Sequence, residues 1–358
     1  TKMVPSTALK HQCKYVMNKQ EFLKSISKPD GSFKRLSKVS PLRYPGGKTK
    51  AIGLITQYLP DAMPKKILSP FMGGASLEIA WANNFDEVEE VVACDIFHPL
   101  TNFWNHILSD PNTLADELEK FKLGDSNYRA YKQILKDWYE DPIKNKLTDL
   151  EAAAHFYYNM QLSYGPMFLG WTSPGKPTTQ SDYDSIIKRI RNFKCPKLRV
   201  ENISFEESLA KYPEHFVYAD PPYLLGYDST VFKAIYPNQG GEHHKGFRHE
   251  LFRDMMLSRK SEWIVSYNDC GTIRDWFEAH EQIYPKWQYS YQQGETRKKN
   301  DQGESVKGAK DSRKTGDEIL IINSTYTPWV PVLAEKKVKQ KKSPKIKIAN
   351  PDLIDYGD

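Results

Sequence analysis

Short apolar runs alternate with helix-like patterns over much of this chain. From Thr49 the stretch "TKAIGLITQYL" puts Ile52, Ile55 and Leu59 on one helical face, and Pro60 and Pro64 end it. "KKILSPFMGGASLEIAWANN" reads as a short strand, a Gly-rich turn and a helix, and "EVEEVVACDI" reads as a strand closing on an acid. Together they predict a strand–loop–helix–strand unit of a parallel sheet. Sheet-like runs resume at "KLRVENISF" and continue through "HFVYADPPY", "EWIVSYND" and "DEILIIN". Helical patterns over 247–259 and 271–279 lie between them. The runs are four to six residues long, apolar and β-branched, as buried strands of an α/β sheet are.

Residues 100–195 break this rhythm. They hold the helix-like "LADELEKF" and "YRAYKQILKDWYE", then the aromatic "HFYYNMQLSYGPMFLGW", then the Pro/Gly-rich "TSPGKPTTQSD". This predicts a separate, mainly helical insertion. Residues 1–40 show no clear periodicity, residues 295–316 read as a long polar loop between the last two strands, and the Lys-rich stretch after Pro328 reads as a poorly ordered tail.

Composition narrows the class. The chain has 358 residues, 39% hydrophobic and 27% charged, an ordinary globular balance and enough for about two or three domains. No apolar run reaches bilayer length, and "TKMVPSTALKHQ" lacks the apolar core of a signal peptide. Cys13, Cys94, Cys195 and Cys270 are dispersed, with no C-x-x-C pair. That argues against a zinc ribbon or a disulfide scaffold and points to the cytoplasm. Net charge is +6, unevenly spread. Residues 1–50 carry 12 Lys/Arg against two acids, and residues 335–347 carry seven lysines against one acid. Basic ends on a near-neutral body suit a polyanion, most simply nucleic acid. Solvated tails are the plain alternative.

Three stretches carry candidate chemistry. "RYPGGKTK", residues 43–50, invites comparison with a triphosphate-binding loop, G-x-x-x-x-G-K-[ST]. Its first glycine should fall at Leu42, and no apolar strand precedes it. An ordinary Gly-Gly turn before a helix is the simpler reading. "YADPPY", Tyr218 to Tyr223, follows an apolar strand and so lies where open α/β sheets bind ligands. Its two prolines remove backbone donors and stiffen the arc, so Asp220 and Pro221 present acceptors alone, suited to gripping an amine. Tyr223 offers a flat face for a planar base. A Pro-Pro strand terminator with a capping Asp is the alternative. "LSPFMGGASLEIA" could hold an adenosine-type cofactor against backbone, with Asp95 placed to reach ribose hydroxyls. The G-x-G-x-x-G of a dinucleotide enzyme is missing. "HHKGFRHEL" is no zinc motif either, because His-Glu-x-x-His needs histidine at Arg253; no metal site is expected.

Taken in order, "RYPGGKTK", "LSPFMGGASLEI", "VACD" and "YADPPY" resemble the S-adenosylmethionine-dependent DNA N6-adenine methyltransferases of the Dam-like (D12) class, over roughly residues 41–105 and 197–324. The resemblance implies an α/β fold: a Rossmann-like methyltransferase sheet with helices on both faces, plus a mainly helical inserted target-recognition domain. It divides the chain into a basic N-terminal extension (1–40), a catalytic domain (41–104 and 196–325), the insertion (105–195) and a Lys-rich tail (326–358). The activity implied is site-specific methyl transfer from S-adenosyl-L-methionine to the N6 amine of an adenine flipped out of double-stranded DNA. The implied setting is prokaryotic or phage, in a restriction-modification or host modification system with a cognate endonuclease as a further partner and no membrane. RNA or another base amine, or a non-catalytic DNA-binding subunit keeping the fold, are the alternatives.

Residue roles follow from the same resemblance. Tyr44, Gly46, Gly47 and Lys48 belong to the cofactor site, and Pro70, Phe71, Gly73 and Ser76 surround the cofactor's methionine part. Asp95 binds the ribose, Ile96 packs on the cofactor's adenine, and Ser204 and Phe205 sit beside it. Asp220, with Pro221, Pro222 and Tyr223, forms the catalytic tetrad, and Asp220 also borders the cofactor site. Aspartate heading that tetrad favours adenine over cytosine N4. Tyr44 stands where many relatives have tryptophan, Ser69 where many have glutamate, and Ser204 where aspartate is frequent. Tyr164 in "SYGPMFLGW", the "SPGKPTTQ" stretch, and the basic Arg297, Lys298, Lys299, Arg313 and Lys314 are candidate DNA contacts. Core packing and a solvated loop are their respective alternatives.

Overall fold

The structure is a computed structural model and describes residues 17–36, 39–172, 179–224, 246–285 and 318–330. Seven strands form one sheet: β1 (Lys66–Ser69), β2 (Glu90–Cys94), β3 (Leu198–Glu201), β4 (Phe216–Ala219), β5 (Trp263–Asn268), β6 (Glu281–Ile283) and β7 (Glu318–Asn323). Their order is β3-β2-β1-β4-β5-β7-β6. Strands β1 to β5 pair in parallel, and β7 runs antiparallel to both β5 and β6. The order reverses between β1 and β4, which opens a crevice at their carboxyl ends, the usual ligand position in such sheets. The sequence reading finds every strand except β6. Its three residues are Glu-Gln-Ile at a sheet edge, too short and polar to leave an apolar signal.

Alternate strand residues feed two cores, as the pleat requires. Ile67, Val91, Tyr218, Leu320 and Ile322 face one side, and Leu68, Val92, Val217, Ile319 and Ile321 face the other. The second side is covered by α9 (Phe205–Lys211), α10 (His249–Leu257) and α11 (Gly271–Trp276), through Leu209, Phe252, Met256 and Ile273. The first side takes α1 (Lys19–Ile26), a 3-10 turn at Lys48–Lys50, α2 (Ile52–Thr56) and α3 (Ser76–Asn84). Ile52, Ile55 and Leu59 are all buried, as their spacing predicts.

Between β2 and β3 come five helices: α4 (His98–Ser109), α5 (Pro111–Glu119), α6 (Asp125–Glu140), α7 (Asp149–Leu162) and α8 (Gln180–Arg191). Asp110, Thr148 and Thr179 cap α5, α7 and α8 through their side chains. Helix α7 is buried almost all round, from Ala152 to Leu162. It packs against α4, α5 and α6. The boundary expected at 105 falls inside α4, and the apolar residues of these helices join the same core as α1 to α3. The helical segment therefore shares a hydrophobic core with the sheet's first face.

Both ends hold more structure than their sequences suggest. Helix α1 lies within the stretch read as aperiodic, with Phe22, Leu23 and Ile26 buried and a capping box at Asn18 and Glu21. At eight residues it is too short for periodicity to emerge from its charged surroundings. The buried Lys19 ammonium donates to the Leu59 carbonyl at 2.7 Å and to Asp61 at 2.6 Å. Asp61 also accepts from the backbone and hydroxyl of Thr327, and Tyr326 packs edge-on to Tyr58 at 5.1 Å. The expected tail thus begins with an ordered strap over α2. Asp61→Ala leaves the Lys19 ammonium with one neutral acceptor and releases Thr327. Urea unfolding should show a loss of about 2–4 kcal/mol.

Candidate active site

Residues Tyr44 to Gly47 make a tight turn with the Gly47 N–H bonded to the Tyr44 carbonyl at 3.3 Å. Pro45 precedes Gly46 at φ +70, the arrangement of a type II turn. An added Cβ at Gly46 would meet nothing within 4 Å, so this glycine is there for its conformation and faces open space. The turn aims Lys48 inward. The segment before it is held by the helical region: Arg189 donates to the Ser40 carbonyl at 2.8 Å, and Tyr157 and Gln161 donate to the Pro41 carbonyl at 3.2 and 3.1 Å. Arg43 donates to the Gln161 carbonyl.

The β1–α3 turn packs against the same loop. Pro70 is buried and Phe71 half-buried. Gly73 adopts φ +45, and a Cβ there would stand 3.1 Å from the Tyr44 ring. Gly74 would bring its Cβ to 3.0 Å from Tyr44 Cβ. The paired glycines are therefore explained by Tyr44 lying on the turn. Ser76 and Thr49 share a hydroxyl hydrogen bond of 2.9 Å, and Trp104 donates to the Gly73 carbonyl at 3.2 Å.

Asp95 follows β2. Its carboxylate accepts from the N–H of Phe97 at 3.0 Å and of Gly73 at 3.4 Å. Burial pushes its pKa up to about 6, against the pull of those N–H groups. Ile96 beside it is 58% exposed. Ser204 is the N-cap of α9 in a capping box with Glu207, so its hydroxyl already has a structural task. Phe205 joins Phe71, Phe247 and Phe252 in a cluster with centroids 5.1–5.9 Å apart.

The tetrad leaves β4 at Ala219. Asp220 Oδ2 accepts from Lys48 Nζ at 2.7 Å, while Asp220 Oδ1 is buried with no hydrogen-bond partner among the described residues. Burial raises the Asp220 pKa, and Lys48 opposes the rise. Lys48 also reaches the Tyr223 hydroxyl at 3.2 Å and Glu318 at 3.4 Å. Pro221 is buried, Pro222 and Tyr223 half-buried. After the tetrad, Leu224 is clasped at both backbone atoms by the Asn268 side chain, at 2.7 and 3.0 Å.

Several groups here went unnoticed in the sequence. Glu318 opens β7, and Asn268 ends β5. Buried Glu78 accepts from Ser69 at 2.6 Å, and burial lifts its pKa to about 7. Each is a polar residue inside or beside an apolar run, the one signal the sequence offered. Ser69, flagged as a departure, is the partner of Glu78.

The candidate DNA contacts separate. Tyr164 is 46% and Trp171 77% exposed at the base of a turn closed by the Tyr164 N–H to Trp171 carbonyl bond of 2.7 Å. Phe168 between them packs against Phe97, Tyr139 and Phe156, so part of this aromatic run is core. Arg297, Lys298, Lys299, Arg313 and Lys314 lie outside the described residues, as does most of "SPGKPTTQ". Among the described residues no cluster of His, Cys, Asp and Glu has the arrangement of a metal site. No helix among them is long and apolar enough to cross a membrane.

Fold and site together define an α/β protein with its crevice at the switch point of the sheet, walled by a Gly-rich turn, a lysine-bearing loop and an Asp-Pro-Pro-Tyr arc. The model of the D12 class N6 adenine-specific DNA methyltransferase family matches residues 44–291, and the chain belongs to that family. No curated protein matches it. Among solved structures, the rRNA methyltransferase aviRa from Streptomyces viridochromogenes is similar at 13% identity, covering 80% of this chain and 89% of that one with a TM-score of 0.28.

Gly46 and Gly73 separate two costs of a side chain. Gly46→Ala meets backbone strain alone, about 1 kcal/mol. Gly73→Ala meets strain and the Tyr44 ring, and should lose about 2–3 kcal/mol. Thermal unfolding of the two variants reads the difference.

Proposed function

We propose that this protein transfers a methyl group from S-adenosyl-L-methionine to the N6 amine of an adenine extruded from double-stranded DNA. The observation that carries the reading is Asp220: one carboxylate oxygen is fixed by Lys48 at 2.7 Å, and the other is buried without a partner. A buried acceptor left open is costly, and an amine donor satisfies it. Membership of the N6-adenine family supports adenine in DNA as the substrate. Host modification with a cognate endonuclease is the setting this reading suits.

The crevice residues fit the cofactor. Asp95 and Ile96 would take its ribose and adenine, with the Phe71–Phe205 wall nearby. Gly46, Gly47, Pro70, Phe71, Gly73 and Ser76 would line the approach to the tetrad, as the family resemblance implies. When bound, the cofactor supplies an electrophilic methyl on a sulfonium. Asp220 Oδ1 and the Pro221 carbonyl accept hydrogen bonds from the target amine. That favours a tetrahedral nitrogen, whose lone pair is then no longer delocalised into the ring. Tyr223 offers its ring face to the base, held by its hydroxyl's bond to Glu318. The proton released on transfer leaves through the acceptors around the amine. Extrusion costs a few kcal/mol, met by contacts from the exposed Tyr164 and Trp171. The basic 297–314 stretch would hold phosphates. Its flanking strands support this: β6 ends and β7 begins at the crevice edge, since β7 runs antiparallel to β5.

Labelled methyl from S-adenosylmethionine should appear as N6-methyladenine in digested duplex DNA, and not in RNA or protein. Asp220→Ala should lower transfer about a hundredfold or more. Transfer by Asp220→Ala at the wild-type rate would sink the assignment. Lys48→Ala should weaken cofactor binding, with ATP binding to neither protein.

A further inference from the structure

Glu318 is the first residue of β7 and is 3% exposed. In the sheet it stands opposite Asn268 of β5, whose side chain clasps Leu224. Its Oε1 accepts from the Tyr223 hydroxyl and lies 3.4 Å from Lys48 Nζ. Its Oε2 is buried with no hydrogen-bond partner among the described residues. Three distant segments therefore meet at one carboxyl group: the Lys48 turn, the arc after β4, and the start of β7. The titratable groups facing it are Lys48, Asp220, Tyr223 and, from β4, the buried Tyr218.

Charge counting gives the group its state. Two carboxylates and one ammonium share a site from which water is largely excluded. With both acids ionised the cluster carries an uncompensated negative charge, which burial penalises. One proton on the pair removes it. Asp220 holds the shorter contact to Lys48, 2.7 against 3.4 Å, and is the more exposed of the two. The proton therefore belongs on Glu318.

We propose that Glu318 is a positioning residue for methyl transfer: it braces Tyr223 and Lys48 from β7 and, as the neutral acid, leaves the charge of Lys48 undivided on Asp220. Ionising Glu318 would split that ammonium between two carboxylates. The positive charge would pass from sulfur to the amine nitrogen on transfer, so the acceptor Asp220 has to stay in place beside that nitrogen, and an ionised Glu318 would draw Lys48 away from it. The neutral form is thus the productive one. Burial, together with the nearby Asp220, lifts the Glu318 pKa from its ordinary 4.5 to about 8, against the pull of Lys48, so it carries its proton at neutral pH.

This inference rests on the methyl-transfer reading, and its test separates the two. Glu318→Gln keeps shape and neutrality, whereas Glu318→Ala removes the brace. The rate of methyl transfer to duplex DNA by the wild type should fall as pH rises through about 8, and the Glu318→Gln rate should not. Glu318→Ala should be slower than Glu318→Gln by about tenfold or more, chiefly in kcat. A second readout needs no activity. Between its unfolded value of 4.5 and its folded value of about 8, Glu318 holds a proton only in the folded protein. Stability from this group therefore drains away as pH rises through that window. The thermal midpoint of Glu318→Gln should gain on the wild type across it and level off above. Identical pH profiles for wild type and Glu318→Gln, or a constant gap in midpoint, overturn the proposal. A wild type without methyl transfer overturns the enzymatic reading, and the midpoint series still decides where the proton sits.

Discussion

An ammonium group that is 6% exposed needs acceptors, and Lys48 finds its nearest one on a residue 172 positions away. That demand ties the crevice together. The Tyr44–Gly47 turn must point Lys48 inward, β4 must stop where Asp220 meets it, and β7 must bring Glu318 within reach. Removing Lys48 or Asp220 leaves its partner's charge buried without compensation, which costs several kcal/mol.

The sheet explains why these pieces meet at this edge. Strand order reverses between β1 and β4, so the loops leaving them diverge and open a cleft. The β1 loop runs into α3, and the β4 loop carries the tetrad. Strand β7 alone among the neighbours of β5 is antiparallel to it. Its first residue, and not its last, therefore lies at the cleft. A parallel strand there would put Glu318 at the opposite rim.

Much of this was legible in the chain. Four motifs in order mark the walls of the crevice, three of them at the end of an apolar run, and Asp95 and Asp220 stand where two of those runs end. Other features were hidden for physical reasons. Glu318 sits one residue before a stretch of isoleucine and leucine, and no local pattern tells a buried acid from a solvated strand terminus. Glu78 lies on a helix buried on nearly every side, so hydrophobic periodicity could not mark its face. Helix α1 was obscured by its lysines, one of which turned out to be buried. The helical stretch between β2 and β3 was read as separate because its composition changes. Composition cannot show that Phe103, Tyr157 and Trp104 pack into the same core as α2 and α3.

The carbonyls of Ser40 and Pro41 are held by side chains from α7 and α8, far along the chain. This attachment affects how genetic data on this protein would read. A screen for lost DNA modification would return substitutions at Tyr157, Gln161 and Arg189. Their place in the segment expected to recognise DNA would invite the label of specificity mutants. Their phenotype would instead come from slack in the turn that aims Lys48. A map of loss-of-function alleles drawn on the linear sequence would then overstate the size of the recognition surface.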